Sequence, residues 1–240
     1  MAAAICLGEL LIDFVPTVTG VNLIEAPAFI KAPGGAPGNV AVGLARLGIA
    51  SAFMGKVGDD AFGHFLTNTL AEAGVDIGPL VFSTAARTAL AFVSLRSDGE
   101  REFMFYRHPS ADMLFTPEEV DVNAIRQAKL LHFGSISLIG EPSRGATLYA
   151  VDTARAAGCL ISYDPNLRLP LWPDANAARD GMLLGMEKAH IVKLSDDESE
   201  FLTGIKDLES ACQALWHNDL KLMIVTRGRA GCVYFTPNFT

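Results

Sequence analysis

Half of the 240 residues are hydrophobic, enough to bury the core of one α/β domain with a small appendage. Nineteen basic against 27 acidic residues give a formal charge of -8 with no Lys/Arg cluster, so neither nucleic acid nor an anionic membrane is an expected partner. The four cysteines (Cys6, Cys159, Cys212, Cys232) form no CxxC pair and the five histidines are scattered, so reduced thiols are expected rather than a disulfide framework or a zinc site.

The chain opens on MAAAICLGELLIDFVP, which lacks a basic leading segment and is interrupted by Glu9 and Asp13. It reads as a first strand, Ala4 to Ile12, rather than a secretory leader, and the expected compartment is the cytoplasm. No uninterrupted apolar run reaches bilayer length. Next comes KAPGGAPGNVAVGLARLG, a Gly/Pro-rich turn leading into a helix, Asn39 to Leu47, that is small and apolar nearly all round. Such a helix must be buried. The Walker and GxGxxG patterns are both absent, and two readings stand. Glycines at a helix start let backbone N–H groups approach hydroxyl or anionic groups of a ligand. Alternatively, the turn is only a tight strand-to-helix connection.

SAFMGKVG reads as a short strand and DAFGHFLTNTLAEAG as a helix stopped at Gly74. The segment RTALAFVSLRSDGEREFMFYRHPSADMLF then breaks the rhythm with two β-rich runs around Ser97-Asp98-Gly99-Glu100, and Asp-Gly is a strong hairpin signal. A small β-appendage is predicted from it, with VPTVTGVNLIEAPAFIKAP adding strand. Downstream, KLLHFGSIS, LISYDPN, AHIVKLS and LKLMIVTRG read as buried strands, with helices at Pro142 to Ala157, Ala175 to Met186 and Asp197 to Leu202 between them. This alternation predicts a layered α/β fold on a mainly parallel sheet.

Three strand ends carry chemistry. In parallel sheets ligands gather beyond the carboxyl ends of strands. Asp164, Asn166 and Arg168 of SYDPNLRLPLW suit sugar hydroxyls or phosphate oxygens there, or form a capping turn. Asp196, Asp197 and Glu198 of KLSDDESEFLTG could help hold a hydrated Mg²⁺, although acidic residues are ordinary in a first helical turn. Thr226, Gly228 and Gly231 of VTRGRAG form either a backbone bed for a nucleotide or a plain β-turn.

Taken in order, GELLIDF, GGAPGNVAVGLARLG, GKVGDDAFG, DPNLR, SDDESEFLTG and VTRGRAG closely resemble the PfkB-type, ribokinase-like sugar kinases. Within that family LIDFVPTV, KAPGGAP, GEREFMFYR, PSADMLF and SYDPNLRLPLWP look most like the plant-type fructokinases. The resemblance implies one three-layer α/β/α sandwich over residues 1–240, with lid strands at about 14–31 and 87–108. It implies ATP-dependent phosphorylation of a hexose, with ATP and Mg²⁺ as cofactors and a homodimer formed through the lid. By position, Asp13, Gly34, Gly35 and Asn39 would bind sugar hydroxyls. Phe92, Phe103 or Tyr106 would lie over the sugar, with Arg107 at its rim. Arg168 would meet the transferred phosphoryl group, and Asn166, Ser195, Thr226, Gly228 and Gly231 would face the nucleotide. Glu198 would stand at the Mg²⁺-linked glutamate, with Ser195 where the family usually has Asn.

The family's Gly-Ala-Gly-Asp motif, which carries the general base and the anion-stabilising N–H groups, does not occur in the 240 residues. The resemblance implies that the motif lies beyond Thr240, that the C-terminal part of the fold is absent and that the chain alone has little activity. Two other functions fit the same residues: a non-catalytic sugar-binding pseudokinase or interaction protein, and a kinase of the same fold for ribose, a nucleoside or a keto-deoxy sugar acid.

Overall fold

The structure is a computed structural model that describes residues 2–95 and 101–238. In chain order its first half runs β1 (Ala4–Leu7), β2 (Leu11–Pro16), β3 (Phe29–Gly34), α1 (Ala36–Arg46), β4 (Ser51–Gly58), α2 (Ala61–Glu72), β5 (Leu80–Ser83), β6 (Ala89–Leu95) and β7 (Arg101–Tyr106). The second half runs α3 (Val122–Gln127), β8 (Leu130–Gly134), α4 (Ser143–Ala156), β9 (Leu160–Asp164), α5 (Ala175–Met186), β10 (Ile191–Ser195), α6 (Asp196–Thr203), α7 (Leu208–Leu215), β11 (Leu222–Thr226) and β12 (Cys232–Phe235).

The larger sheet has the order β12-β11-β10-β9-β8-β1-β4-β5, parallel throughout except for the antiparallel edge strand β12. Its apolar residues alternate between two cores, as a sheet covered on both faces requires. Ile5, Leu7, Met54, Leu131, Phe133, Ile161, Tyr163, Val192, Leu194, Met223 and Val225 pack with α4 and α5 on one face. Cys6 and Phe53 point the other way and pack with Ala41 of α1 and Leu66 and Leu70 of α2. The result is the predicted three-layer arrangement. On the α1/α2 face, the far strands present Ile191, Leu222 and Ile224 part-exposed and Tyr234 exposed. Among the described residues no helix is long and apolar enough to cross a membrane.

Helix boundaries follow local chemistry. Asp60 caps α2 by accepting from the N–H groups of Phe62 (3.0 Å) and Gly63 (2.9 Å), and Asp174 does the same for α5 from Asn176 and Ala177. Ser195 and Glu198 form a reciprocal capping box on α6. Helix α1 is different: Gly35 at its N-cap offers no side chain, and Pro37 stands in its first turn. Because Pro is well suited to that place, α1 starts at Ala36, three residues before the expected Asn39.

The second sheet, order β3-β2-β6-β7, lies beside the first. It corrects the expected strand Ala4 to Ile12, which is two strands in different sheets. The chain bends at Gly8-Glu9-Leu10, and β2 leaves the parallel sheet to pair with β3 (Leu11↔Gly34 through Pro16↔Phe29) and β6 (Leu11↔Ala89 through Phe14↔Phe92). The small sheet therefore reaches from Leu11 to Gly34 and from Ala89 to Tyr106, wider than 14–31 at both ends. β6 and β7 pair antiparallel from Leu90↔Tyr106 to Leu95↔Arg101. The Asp98-Gly99 turn expected between them lies outside the described residues.

Candidate active site

The bend after β1 and the turn before α1 meet at the root of the small sheet. Two features hold the turn. Glu9 Oε1 accepts the Ala36 N–H at 3.0 Å, supplying the cap that Gly35 lacks. Gly35 has φ 107°, and a Cβ placed there would lie 2.5 Å from the Glu9 carbonyl oxygen. Its neighbour Gly34 is needed for a different reason, since a Cβ there would sit 2.3 Å from Asp13 Oδ2. Gly34 lets the backbone pass directly against the Asp13 carboxylate, and Gly35 lets it turn against the Glu9 carbonyl.

Above this turn lies a cavity of about 460 Å³, walled by Glu9, Asp13, Gly35 and Asn39 on one side and by Asp164, Asn166 and Arg168 on the other. Its roof is the inner face of the small sheet, where Leu11, Val15, Val93, Phe103 and Phe105 project. The Phe103 and Phe105 rings lie parallel with centroids 5.7 Å apart, and the Arg168 guanidinium sits 5.4 Å from the Phe103 centroid. A flat apolar roof over a ring of carboxylate, amide and guanidinium groups suits a small polyhydroxylated molecule, with hydroxyls at the rim and C–H faces against the rings.

Electrostatics separate the carboxylates. Burial pushes Glu9 up to about 7, against the pull of backbone N–H groups and of Arg107. Asp13 is raised by burial and drawn back by Arg168. Asp164 is raised by burial and opposed by Lys193, whose Nζ lies 3.1 Å from Asp164 Oδ2.

The carboxyl ends of β9, β10 and β11 continue this wall along the sheet. Asn166, in a left-handed turn (φ 45°), donates its N–H to Asp164 Oδ1 at 3.1 Å. Glu198 is buried and takes the Leu167 N–H (2.6 Å) on one oxygen and the Ser195 N–H (2.7 Å) on the other. It thereby ties the DPNLR turn to the start of α6. The Ser195 hydroxyl oxygen is used as the cap of that helix, accepting the Glu198 N–H at 3.1 Å. Thr226 pairs in register with Ser195, and Gly228 and Gly231 form the tight turn between β11 and β12. Among the described residues no group of three or more His, Cys, Asp or Glu is arranged to hold a metal ion.

The structure brings Asp13, Gly35, Asn39, Phe103, Asn166 and Arg168 around one cavity, and sets Gly34 behind Asp13. It places three of the expected residues elsewhere. Phe92 and Tyr106 lie on the outer face of the small sheet, where Phe92 stacks on Phe14 at 5.0 Å and meets Tyr106 edge-on at 5.6 Å. The reason is pleat parity: Val93 pairs with Phe103, so Phe92, one residue away, and Tyr106, three from Phe103, point outward. Arg107, instead of standing at the rim, is buried against Asp112 and lines the neighbouring cavities. Glu9 and, on the roof, Leu11, Val15, Val93 and Phe105 also line the cavity without having been expected from the sequence. Period-2 alternation along REFMFY puts Phe105 on the same face as Phe103.

A model of the pfkB family carbohydrate kinases matches residues 1–240. Probable fructokinase-4 of Arabidopsis thaliana is 58% identical over 233 residues, covering 97% of this chain and 72% of that protein. The fructokinase of Xylella fastidiosa, solved with bound ATP, superposes with a TM-score of 0.87 at 37% identity, over 99% of this chain and 76% of that one. The Vibrio cholerae O395 fructokinase, solved with fructose, ADP and calcium ion, gives a TM-score of 0.87 at 34% identity, over 99% and 74%.

Proposed function

The chain belongs to the pfkB family of carbohydrate kinases, and from that premise we propose that its reaction is ATP-dependent phosphorylation of fructose to fructose 6-phosphate. One observation carries this reading: the Asp13–Gly35–Asn39 cradle lies open beneath the Phe103 and Phe105 roof, with Arg168 across the cavity. In it, Asp13 and Asn39 take sugar hydroxyls, and the Gly34-Gly35 turn sets the depth at which the ring sits. Arg168 meets the phosphoryl group in transfer. The nucleotide lies along the ends of β10 and β11, beside Ser195, Thr226, Gly228 and Gly231. That a fructokinase has been solved with fructose and ADP, and another with ATP, supports the assignment.

Mg²⁺, when bound, neutralises charge on the nucleotide phosphates. Glu198 fits such an ion: a carboxylate has about four acceptor positions, two of which are used by backbone N–H groups here, and Mg²⁺ keeps several waters and needs few carboxylates.

Residues 1–240 hold the sugar cradle but not the Gly-Ala-Gly-Asp segment with its base and anion-stabilising N–H groups. A general base contributes roughly 10²–10⁴ in rate, and one anion-hole donor roughly 10²–10³. A polypeptide of these residues is therefore expected to bind fructose in preference to ribose, nucleosides or keto-deoxy sugar acids while turning it over at a small fraction of an ordinary fructokinase rate. A coupled ADP-release assay, run beside calorimetric titrations with that panel, checks both. Ordinary turnover overturns the first expectation, and preference for another substrate overturns the fructose assignment.

We also propose a homodimer formed through the outer face of the lid, where Met104 (42% exposed) and Tyr106 (57%) flank the Phe14–Phe92 stack. Tyr106→Glu is expected to convert a sedimenting dimer to monomer; a monomeric wild type contradicts the proposal.

A further inference from the structure

Two buried groups of opposite charge lie at the root of the lid with an unmade hydrogen bond each. Glu9 is 3% exposed, and while its Oε1 holds the Ala36 N–H, its Oε2 has no partner among the described residues. Arg107 is 6% exposed and follows directly on β7; its Nη2 is paired with Asp112, whose other oxygen takes the Ser110 hydroxyl at 2.5 Å, yet its Nε–H likewise has no partner. Buried donors and acceptors are nearly always satisfied, and leaving both of these unmade would be costly. The guanidinium is also among the charges acting on the Glu9 carboxyl, in the favourable sense, with Asp112 opposing it.

We propose that Glu9 is a positioning residue whose free carboxylate oxygen takes the Arg107 Nε–H through one buried water, tying the sugar turn before α1 to the root of the lid. A water is the appropriate bridge because both atoms are buried without a protein partner, both residues continue the Leu11, Phe103 and Phe105 parity of the small sheet, and one water can accept from the Nε–H while donating to the carboxylate oxygen. Glu9 then serves two masters. One oxygen fixes the start of α1, and hence Gly35 and Asn39. The other fixes the strand end from which Phe103 and Phe105 project. Any movement of the lid over the cradle is felt at the turn, and any ligand that settles the turn favours one lid position.

The charge around the pair is defined. Arg107 and Asp112 face Glu9 from the lid root, and Asp13, Asp164 and Arg168 stand on the remaining cavity walls. α1 contributes the Ala36 N–H. Lys56, on the neighbouring strand β4, is taken up by Glu119 at 2.6 Å. Free Glu9 is raised by burial to about 7. A ligand that tightens its hold on Arg107 favours the ionised carboxylate, so binding releases protons near pH 6–7 and weakens as pH falls through that range.

The test uses residues 1–240 and two substitutions. Glu9→Gln keeps an oxygen for Ala36 but loses the charge; Arg107→Lys keeps a cation for Asp112 but has no Nε–H. Without ligand, urea melts of both single variants and the double variant form a cycle. The proposal expects the double variant to be less destabilised than the sum of the singles; additive effects overturn it. The sugar role rests on the fructose reading above, with fructose as the probe. Wild type is expected to release protons on binding, seen as a buffer-dependent calorimetric heat at pH 6.5, and Glu9→Gln to lose that release and bind about tenfold more weakly at pH 8. A coupled cycle with unchanged fructose affinity and unchanged proton release overturns the positioning role. Should wild type bind no fructose, the fructose reading fails while the cycle still decides the Glu9–Arg107 link.

Discussion

Gly35→Ala is expected to destabilise the protein by about 3 kcal/mol, lowering its melting temperature by roughly 6–12 °C. Two costs combine. The backbone at Gly35 has φ 107°, where an L side chain is strained by roughly 1–3 kcal/mol. The new methyl would also meet the Glu9 carbonyl oxygen at 2.5 Å, and because that atom is backbone it cannot swing aside. Relief requires the turn to move, which pulls Ala36 off Glu9 Oε1 and shifts Asn39 out of the cavity wall. Loss of fructose binding should accompany the loss of stability. Scanning fluorimetry of the variant checks the first, and a melt within a degree or two of wild type would show that the turn is not held as described.

Asp13→Asn should separate function from stability. A hydrogen bond to a charged acceptor is worth roughly 1.5–3 kcal/mol, so fructose affinity should fall about 10–150-fold. The same substitution is expected to leave stability at pH 7 equal or improved. Burial raises the Asp13 carboxyl above its ordinary value, more than Arg168 draws it back. For an acid raised in the folded state, the folded protein holds more protons than the unfolded chain between the two values. The carboxylate therefore costs stability as pH rises from the ordinary value through the raised one, and the cost persists above it. Asn carries none of it, so the gain of the variant over wild type should shrink in acid. Melts at pH 4 and pH 7, with fructose titrations at pH 7, check the pair of effects. A variant with both unchanged affinity and reduced stability would remove Asp13 from the sugar site.

The parallel sheet was legible because its strands are short apolar runs that each end in polar or glycine residues. SAFMGKVG and Ala175 to Met186 appear in the fold with the expected bounds. The first strand was not, since AAAICLGELLI is apolar on both sides of Gly8 and nothing local says that its second half pairs with a different sheet. The cavity roof was half legible. Phe103 and Tyr106 are an odd number of residues apart in one strand, so both could not face the cavity, but choosing between faces required knowing where β2 lies. Glu9 was illegible for a physical reason. A lone glutamate after a strand is ordinarily solvated, and only the tertiary fold shows it buried beneath the turn with one oxygen on Ala36. Arg107 was misplaced on the same ground, its partner Asp112 being a matter of folding rather than of sequence spacing alone.

That a hexose occupies the space between the glycine turn and the aromatic roof is tested most directly by titrating isotope-labelled residues 1–240 with fructose and following the amide resonances. Saturable shifts are expected, concentrated at Gly35, Ala36, Asn39, Val93 and Phe105, with the outer-face residues Phe92 and Met104 little changed. Absence of any shift, or shifts confined to the outer face of the small sheet or to the far edge of the large sheet at β12, would contradict hexose binding there.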